Sequence, residues 1–242
     1  MTQRSMQSLK DEFWRMADTT RTQTEYLADE KLRSLQSAPL DVLKRVFVQY
    51  RYFTIYYISD LALLVHRLPF GKLRSLLADF LNDELGNGRH EHAHQQVYDD
   101  FLVSIGLCPS ELDAHANPAN LQLLGEIRDL VQQRSAWYAV GLRGMGGECL
   151  CQVYLAAMHA HFTQNPAIQA LAAGLDWKFW EIHTGAVDIA HRELLRAALM
   201  EAVDQQPEVL EDLVGGYRKS KDVFDTFWEN IYRDAGIGQL AA

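Results

Sequence analysis

The run from Asn82 to His94, Asn-Asp-Glu-Leu-Gly-Asn-Gly-Arg-His-Glu-His-Ala-His, gathers metal-ligand chemistry into one short stretch. Glu84 closes an apolar helical pattern, and Gly86, Asn87 and Gly88 then break it. His90, Glu91, His92 and His94 come next, all of residue types that bind metal ions. On one straight helix Glu84 and His94 would stand about 15 Å apart along the axis, too far to share an ion. The glycines remove that objection, because they admit backbone angles that fold the second segment back onto the first.

The rest of the chain supplies more groups of this kind. Glu148 stands in the apolar, small-residue stretch Gly144-Met-Gly-Gly-Glu-Cys-Leu-Cys-Gln-Val-Tyr-Leu155. A carboxylate buried there is costly unless it is paired or bound to metal. The plainer reading is a salt bridge to Arg143 or another arginine. Gly141, Gly144, Gly146 and Gly147 each weaken a helix by up to about 1 kcal/mol and are tolerable where a cofactor or substrate needs room beside the backbone. Further on, Asp188 and His191 are three residues apart and share a helix face. His183 is five residues before Asp188, about 140° away on a regular α-helix. A wider π turn would bring the two together, and Gly185 is the natural place for one. Glu181, two turns before Asp188, is a spare candidate. Glu91 and His94 form a second carboxylate-x-x-His pair. Two such pairs plus separate carboxylates are what a helical di-iron site requires. Carboxylates and imidazoles suit iron, and open positions on the metal admit O2.

Other groups carry blander readings. His90 to His94 matches the H-E-x-x-H zinc-peptidase signature, but it starts just after a helix break and no clear third ligand comes after it. His159 and His161 sit near a helix end and suit the helix dipole. His66 lies at a helix end and His115 in a loop. Cys149 and Cys151 read as small core residues, and a thiol in apolar surroundings ionises poorly. Tyr50, Phe53 and Tyr57 are mainly core, with a lesser claim to line a pocket. Asp60, in an apolar helix, is either held by an arginine or an extra ligand.

The elements that must position these groups are helical. All six prolines, Pro39, Pro69, Pro109, Pro118, Pro166 and Pro207, fall between periodic segments, and proline inside a helix costs about 3 kcal/mol. Leu43, Val46, Phe47, Tyr50, Phe53 and Tyr57 give helical spacing within residues 40–68. Residues 121–162 read as two helices broken near 133–135, residues 177–203 as one helix, and residues 208–232 as the last. Asp41 and Ser110 are candidate caps or first-turn residues. No stretch alternates long enough for a strand, and linkers and repeats are absent. The expectation is one all-α domain over residues 1–242, a bundle of about seven helices.

With 242 residues and 48% hydrophobic content, the chain can bury a large core. A net charge of −9 without a basic stripe argues against nucleic-acid binding. The polar N-terminus has no signal-peptide core, and the most apolar helix, residues 53–65, is too short for a bilayer and contains Asp60. Three cysteines, Cys108, Cys149 and Cys151, form no disulfide framework, as in a reducing compartment. A cytoplasmic protein with no membrane or nucleic-acid partner is expected; oligomeric state is open, with a homodimer as one option.

The pattern resembles the heme-oxygenase-like di-iron oxidases and oxygenases, a family of iron-containing redox enzymes. The residues that carry the resemblance are Phe80-Leu-Asn-Asp-Glu-Leu-Gly-Asn-Gly88, Ala93-His94 leading into Tyr98-Asp-Asp-Phe-Leu102, Glu148, and Asp188-x-x-His191, with Val46-Phe-Val-Gln-Tyr-Arg-Tyr-Phe53 before them. It covers roughly residues 40 to 195. The resemblance implies two Fe(II) ions held by Glu84, His94, Glu148 and a His-x3-Asp-x2-His trio. Here Thr184 holds the trio's first position and His183 stands one residue early, ahead of Asp188 and His191. It implies O2-dependent N-oxygenation, desaturation or C–C cleavage of a small amino-acid-like or fatty-acid-like substrate, in specialised metabolism. Relatives of that fold offer a thiaminase-type hydrolase with Cys149 or Cys151 as nucleophile. A true heme oxygenase would need an axial histidine in its first helix, and no histidine precedes His66. A metal-free binding scaffold is the alternative from another class.

Overall fold

The structure, a computed structural model, describes residues 3–113, 116–184 and 186–237; for residues 3–6 and 186–190 it describes the backbone alone. Among them the regular structure is helical and no strand occurs. In chain order the helices are α1 (Gln3–Leu32), α2 (Leu40–Arg67), α3 (Lys72–Glu84), α4 (His94–Ser104), α5 (Pro118–Gln133), α6 (Ala136–Ala139), a π-helix (Val140–Cys151) running into α7 (Gln152–Phe162), α8 (Pro166–Leu171), α9 (Lys178–His183), α10 (Ala186–Gln205) and α11 (Leu210–Ala235). The prolines lie outside the helix interiors, and Pro118 and Pro166 occupy first helical positions behind the side-chain caps Asn117 and Asn165. Asp41 sits in the first turn of α2, whereas Ser110 lies in a short 3-10 turn.

Helix α2 is the central post. Its expected stripe is buried, but so are Val48, Gln49, Arg51 and Tyr52. Every residue from Val46 to Thr54 is buried, so this middle part of the helix lies inside the bundle rather than on it. Its one buried guanidinium, Arg51, donates to Asp99 at 2.5 and 3.0 Å and to Asp113 at 2.8 Å. Around α2 stand α3, α4, α5, α11 and the π-helix.

Three features depart from the sequence reading. Helix α1 has no strong apolar signature: it buries small or isolated residues, Phe13, Ala17, Thr24, Ala28 and Leu32, against α7 and α11. The segment expected as one helix over 177–203 is two, because α9 ends at His183 and α10 begins at Ala186. A wide π turn that the sequence reading did not place runs over Val140–Cys151. Gly185, where such a turn was expected, and His115 lie outside the described residues.

Three glycines of that π-helix, Gly141, Gly146 and Gly147, make room for protein neighbours rather than for a ligand alone. A Cβ on Gly141 would stand 2.3 Å from the Leu213 carbonyl oxygen of α11, and one on Gly147 would stand 2.3 Å from the Tyr57 ring. The first lets two helix backbones touch, and the second lets a tyrosine cross to the neighbouring Glu148.

Candidate metal centre

The turn after α3 is built by three consecutive left-handed residues, Gly86 (φ 81°), Asn87 (φ 54°) and Gly88 (φ 80°). Gly86 is also the point of closest approach: a Cβ there would meet the Arg89 carbonyl oxygen at 2.3 Å and the Ala93 nitrogen at 2.5 Å. Asn87 offsets its own strain by tying the turn down. It accepts from Asn82 and donates to Asp83, each at 2.7 Å. The chain reverses, α4 starts at His94, and His94 Nδ1 comes to rest 3.0 Å from Glu84 Oε2. Its other nitrogen, Nε2, lies 3.8 Å from Asp83 Oδ2, an ion-pair distance rather than a hydrogen bond.

His183 joins this pair although its register on a continuous helix would turn it away. It is the last residue of α9, so no regular helix ties its direction to that of Asp188 and His191. Its Nδ1 lies 2.8 Å from the Phe179 carbonyl oxygen. A carbonyl only accepts, so Nδ1 carries the proton and Nε2 keeps the lone pair. Burial, reinforced by His94, pulls His183 down to about 4 and leaves the ring neutral at pH 7. Donor atoms of Glu84, His94 and His183 lie within 4.8 Å of one another. Burial raises the Glu84 carboxyl, but the bond from His94 and the fields of His94, His183 and His191 outweigh it, and its pKa falls below the ordinary value. Thr184 turns its hydroxyl back onto the Trp180 carbonyl oxygen at 2.6 Å.

The opposite wall comes from the π-helix and α10. Tyr57 of α2 donates to Glu148 Oε1 at 2.7 Å, and His191 Nδ1 lies 3.8 Å from Glu148 Oε2. The His191 ring stacks on Phe80, 4.4 Å between centroids, and burial lowers its pKa. Arg143, the alternative partner read for Glu148, is committed elsewhere: it and Arg128 both hold Asp60, which is therefore arginine-bound.

Glu84, His94, Glu148, His183 and His191 all line one cavity of about 40 Å³, together with Tyr50, Tyr57 and Cys151. At roughly 10–15 Å³ for a single water, that space suits ions and small ligands. The side chain of Asp188 lies outside the described residues. Glu91 and Glu181 do not reach the site. Glu91 is exposed in a 3-10 turn, His90–His92, that ends before α4, and Glu181 faces solvent on α9. The same turn separates His90 from His94, so the zinc-peptidase spacing is not a helix face. His159 stacks on Trp180, and His161 bridges Asp29 and Gln36, away from the cavity.

Two neighbours of the ligands escaped the sequence reading. Asp83 sits in the same Asn-Asp-Glu run as Glu84, and Phe80 is one turn before Glu84 on its face. Tyr50, Phe53 and Tyr57, read as mainly core with a lesser claim to line a pocket, are both core and cavity wall. Cys151 lines the cavity with its sulfur 2.9 Å from the Tyr50 hydroxyl, whereas burial and Glu148 push the Cys149 thiol up to about 12.

The donor set fits iron. Two carboxylates and three histidines converge from α3, α4, α9, α10 and the π-helix. The two imidazoles whose shifts are resolved, His183 and His191, are held neutral, the form that ligates. Donors 3.0 Å apart at His94 and Glu84, 3.8 Å apart at His191 and Glu148, and within 4.8 Å for the Glu84, His94 and His183 trio can close on an ion at bond lengths of about 2 Å.

A family model described as iron-containing redox enzyme matches residues 44–225. No curated protein matches the chain. Among solved structures, a CADD-like protein of unknown function from Nostoc punctiforme superimposes with a TM-score of 0.71 at 16% identity, over 96% of this chain and 98% of that one. A TenA homolog from Pseudomonas syringae pv. tomato gives 0.70 at 13% identity, over 91% and 93%. At such identities these neighbours establish the all-α fold and nothing finer.

Proposed function

The chain belongs to the iron-containing redox enzymes, and on that premise we propose that it is a non-heme di-iron oxidase or oxygenase. It uses O2 on a small amino-acid-like or fatty-acid-like substrate. The observation that carries this reading is the convergence of Glu84, His94, Glu148, His183 and His191 on one small cavity. Glu84, His94 through Nδ1 and His183 through Nε2 would hold one ion. Glu148 and His191, with Asp188 from the sequence pattern, would hold the other. Ferrous iron held there with open positions would supply the electrons that activate O2. The chain itself positions the ligands. Tyr57 fixes one oxygen of Glu148, the Phe179 carbonyl fixes the tautomer of His183, and Phe80 fixes the plane of His191. The aromatic wall of Tyr50, Phe53 and Phe179 keeps water from the reacting centre.

Anaerobic titration with ferrous iron, read by metal analysis, tests the proposal. Two unequal binding steps are expected, because Thr184 replaces the trio's histidine. Saturation at zero iron, or a single preferred zinc with peptidase activity, would overturn it.

One observation favours a second reading, a hydrolase with Cys151 as nucleophile: that thiol faces the cavity beside the Tyr50 hydroxyl. Metal-free protein that hydrolyses thiamine-like substrates, and loses this with Cys151→Ser, would establish it over the first.

A further inference from the structure

A line of near-parallel rings leaves the cavity in the direction of α11. Tyr50, a cavity residue, stacks with Trp228 at 6.3 Å between centroids and 22° between planes. Trp228 stacks with Tyr154 at 5.7 Å and 19°. All three rings are buried, with 2%, 0% and 1% exposure. At the inner end the Tyr50 hydroxyl meets the Cys151 sulfur at 2.9 Å. At the outer end the Tyr154 hydroxyl donates to Asp225 Oδ1 at 3.0 Å, and Asp225, with its side chain one-third exposed, also pairs with Lys221. Redox-active rings thus run from the candidate metal centre to a carboxylate at the surface.

Packing alone does not ask for these residue types. The neighbouring part of the core is filled by Phe47, Phe101, Phe162, Phe179, Trp177 and Trp180, many of them edge to face, and by Tyr98, whose hydroxyl donates to the Phe47 carbonyl oxygen. Phenylalanine fills space as well as tyrosine and does not need a partner for a hydroxyl. Along the Tyr50 line the hydroxyls are kept, and each ends on a group able to exchange a proton. Tyr232 is a branch from Trp228 at 6.5 Å, but its hydroxyl donates to the Lys31 carbonyl oxygen, which takes up no proton at ordinary pH.

We propose that Tyr50, Trp228 and Tyr154 form an electron relay that connects the iron centre to the surface at Asp225. The inference rests on the iron-dependent reading above. When O2 has oxidised the iron centre, one electron passes from Tyr154 through Trp228 and Tyr50 to the iron. The Tyr154 hydroxyl proton moves to Asp225 Oδ1, leaving a neutral tyrosyl radical and a protonated carboxyl. A soluble one-electron donor of the reduced flavin or iron–sulfur class then returns an electron to Tyr154, and Asp225 returns the proton. Each cycle thus moves one electron inward and restores both side chains.

The test is freeze-quench electron paramagnetic resonance on the full chain, loaded with ferrous iron and mixed with O2 in the absence of substrate. Iron content and O2 consumption are measured on the same samples. Wild type should give a tyrosyl radical whose signal is lost in Tyr154→Phe and in Trp228→Phe, while iron content stays unchanged. Asp225→Asn, a surface change that keeps the core intact, should also abolish the neutral radical by removing its proton acceptor. A radical that persists in Tyr154→Phe, or signals equal in wild type and Trp228→Phe at equal iron content, would overturn the relay and leave the proposed function standing. Wild type that binds no iron would instead strike the proposed function, and the relay would fall with it.

Discussion

The π-helix serves two carboxylates inside the bundle, one buried and one part-buried, and it serves them in opposite ways. At Asp60 it contributes Arg143, which with Arg128 surrounds a carboxylate that is 0% exposed. At the cavity it contributes a carboxylate itself, Glu148, and the partners brought to it are Tyr57 and His191. Guanidinium groups are permanently charged and neutralise Asp60 outright. Imidazoles kept neutral by burial have lone pairs to give, and with carboxylates they make a site for a cation. The same helix thus separates an ion pair that holds the bundle from a donor set suited to chemistry.

The sharpest way to break this comparison is Glu148→Ala. It should abolish iron-dependent O2 turnover and lower the iron content. The iron-free protein should lose only about 1 kcal/mol, the worth of the Tyr57 bond. Metal analysis beside chemical denaturation checks both halves, and a variant with full iron content would make Glu148 structural.

Asp60→Ala is the mirror experiment. It strands two guanidinium groups, one of them deeply buried, and should cost about 3–5 kcal/mol in stability. Any protein that still folds should bind iron normally. A cost under about 1 kcal/mol in urea denaturation would show that the Asp60 cluster is not the brace described.

Acid should reveal the neutral histidines. His183 is lowered from 6.5 to about 4, so as pH falls the unfolded chain takes up this proton first. The iron-free protein should be fully stable in this respect above pH 6.5 and lose roughly 3 kcal/mol between there and pH 4. The lowered Glu84 carboxyl acts in the same direction further down: its contribution is present above 4.5 and is lost as pH falls through its depressed folded value. Melting curves across this range test the claim, and His183→Gln should flatten the upper part of the slope. An unchanged slope would mean that His183 takes up its proton in the fold as readily as in the unfolded chain.

Gly86→Ala should cost about 2 kcal/mol or more, since a side chain is strained at positive φ and its Cβ would collide with the turn. It should also weaken iron binding by prising His94 from Glu84, which calorimetric titration would detect. The smallest effect is expected from Glu91→Ala and Glu181→Ala, exposed positions that should change stability by less than about 0.5 kcal/mol. A fall in iron content in either would return them to the site.

The features legible in the sequence were local. The proline positions, the central stripe of α2 and the break at Gly86 to Gly88 arise from backbone chemistry within a few residues. So does the meeting of Glu84 and His94, because the turn that joins them is short and glycine dictates its shape. Fold class was legible for the same reason: helices make their hydrogen bonds within themselves, and their period shows in the residues. Helix α1 was harder to see, because it docks through alanine and threonine rather than a broad apolar stripe.

Tertiary structure decided the rest. No spacing rule pairs Glu148 with Tyr57 and His191, or Asp60 with Arg128 and Arg143, since these contacts cross between helices. The π register of Val140–Cys151 is likewise set from outside. Gly141 lies against α11, Gly147 yields to Tyr57, and Arg21 of α1 donates at 2.7 Å to the Cys149 carbonyl oxygen near the π–α junction. His183 shows the division most clearly. Its register on an uninterrupted helix points away from the ligands, yet α9 ends at that residue and the ring packs at 4.6 Å from His94. Helical periodicity determines which residues share a face only while the helix lasts; where it stops, and what its last side chain meets, is fixed by the packing of the whole bundle.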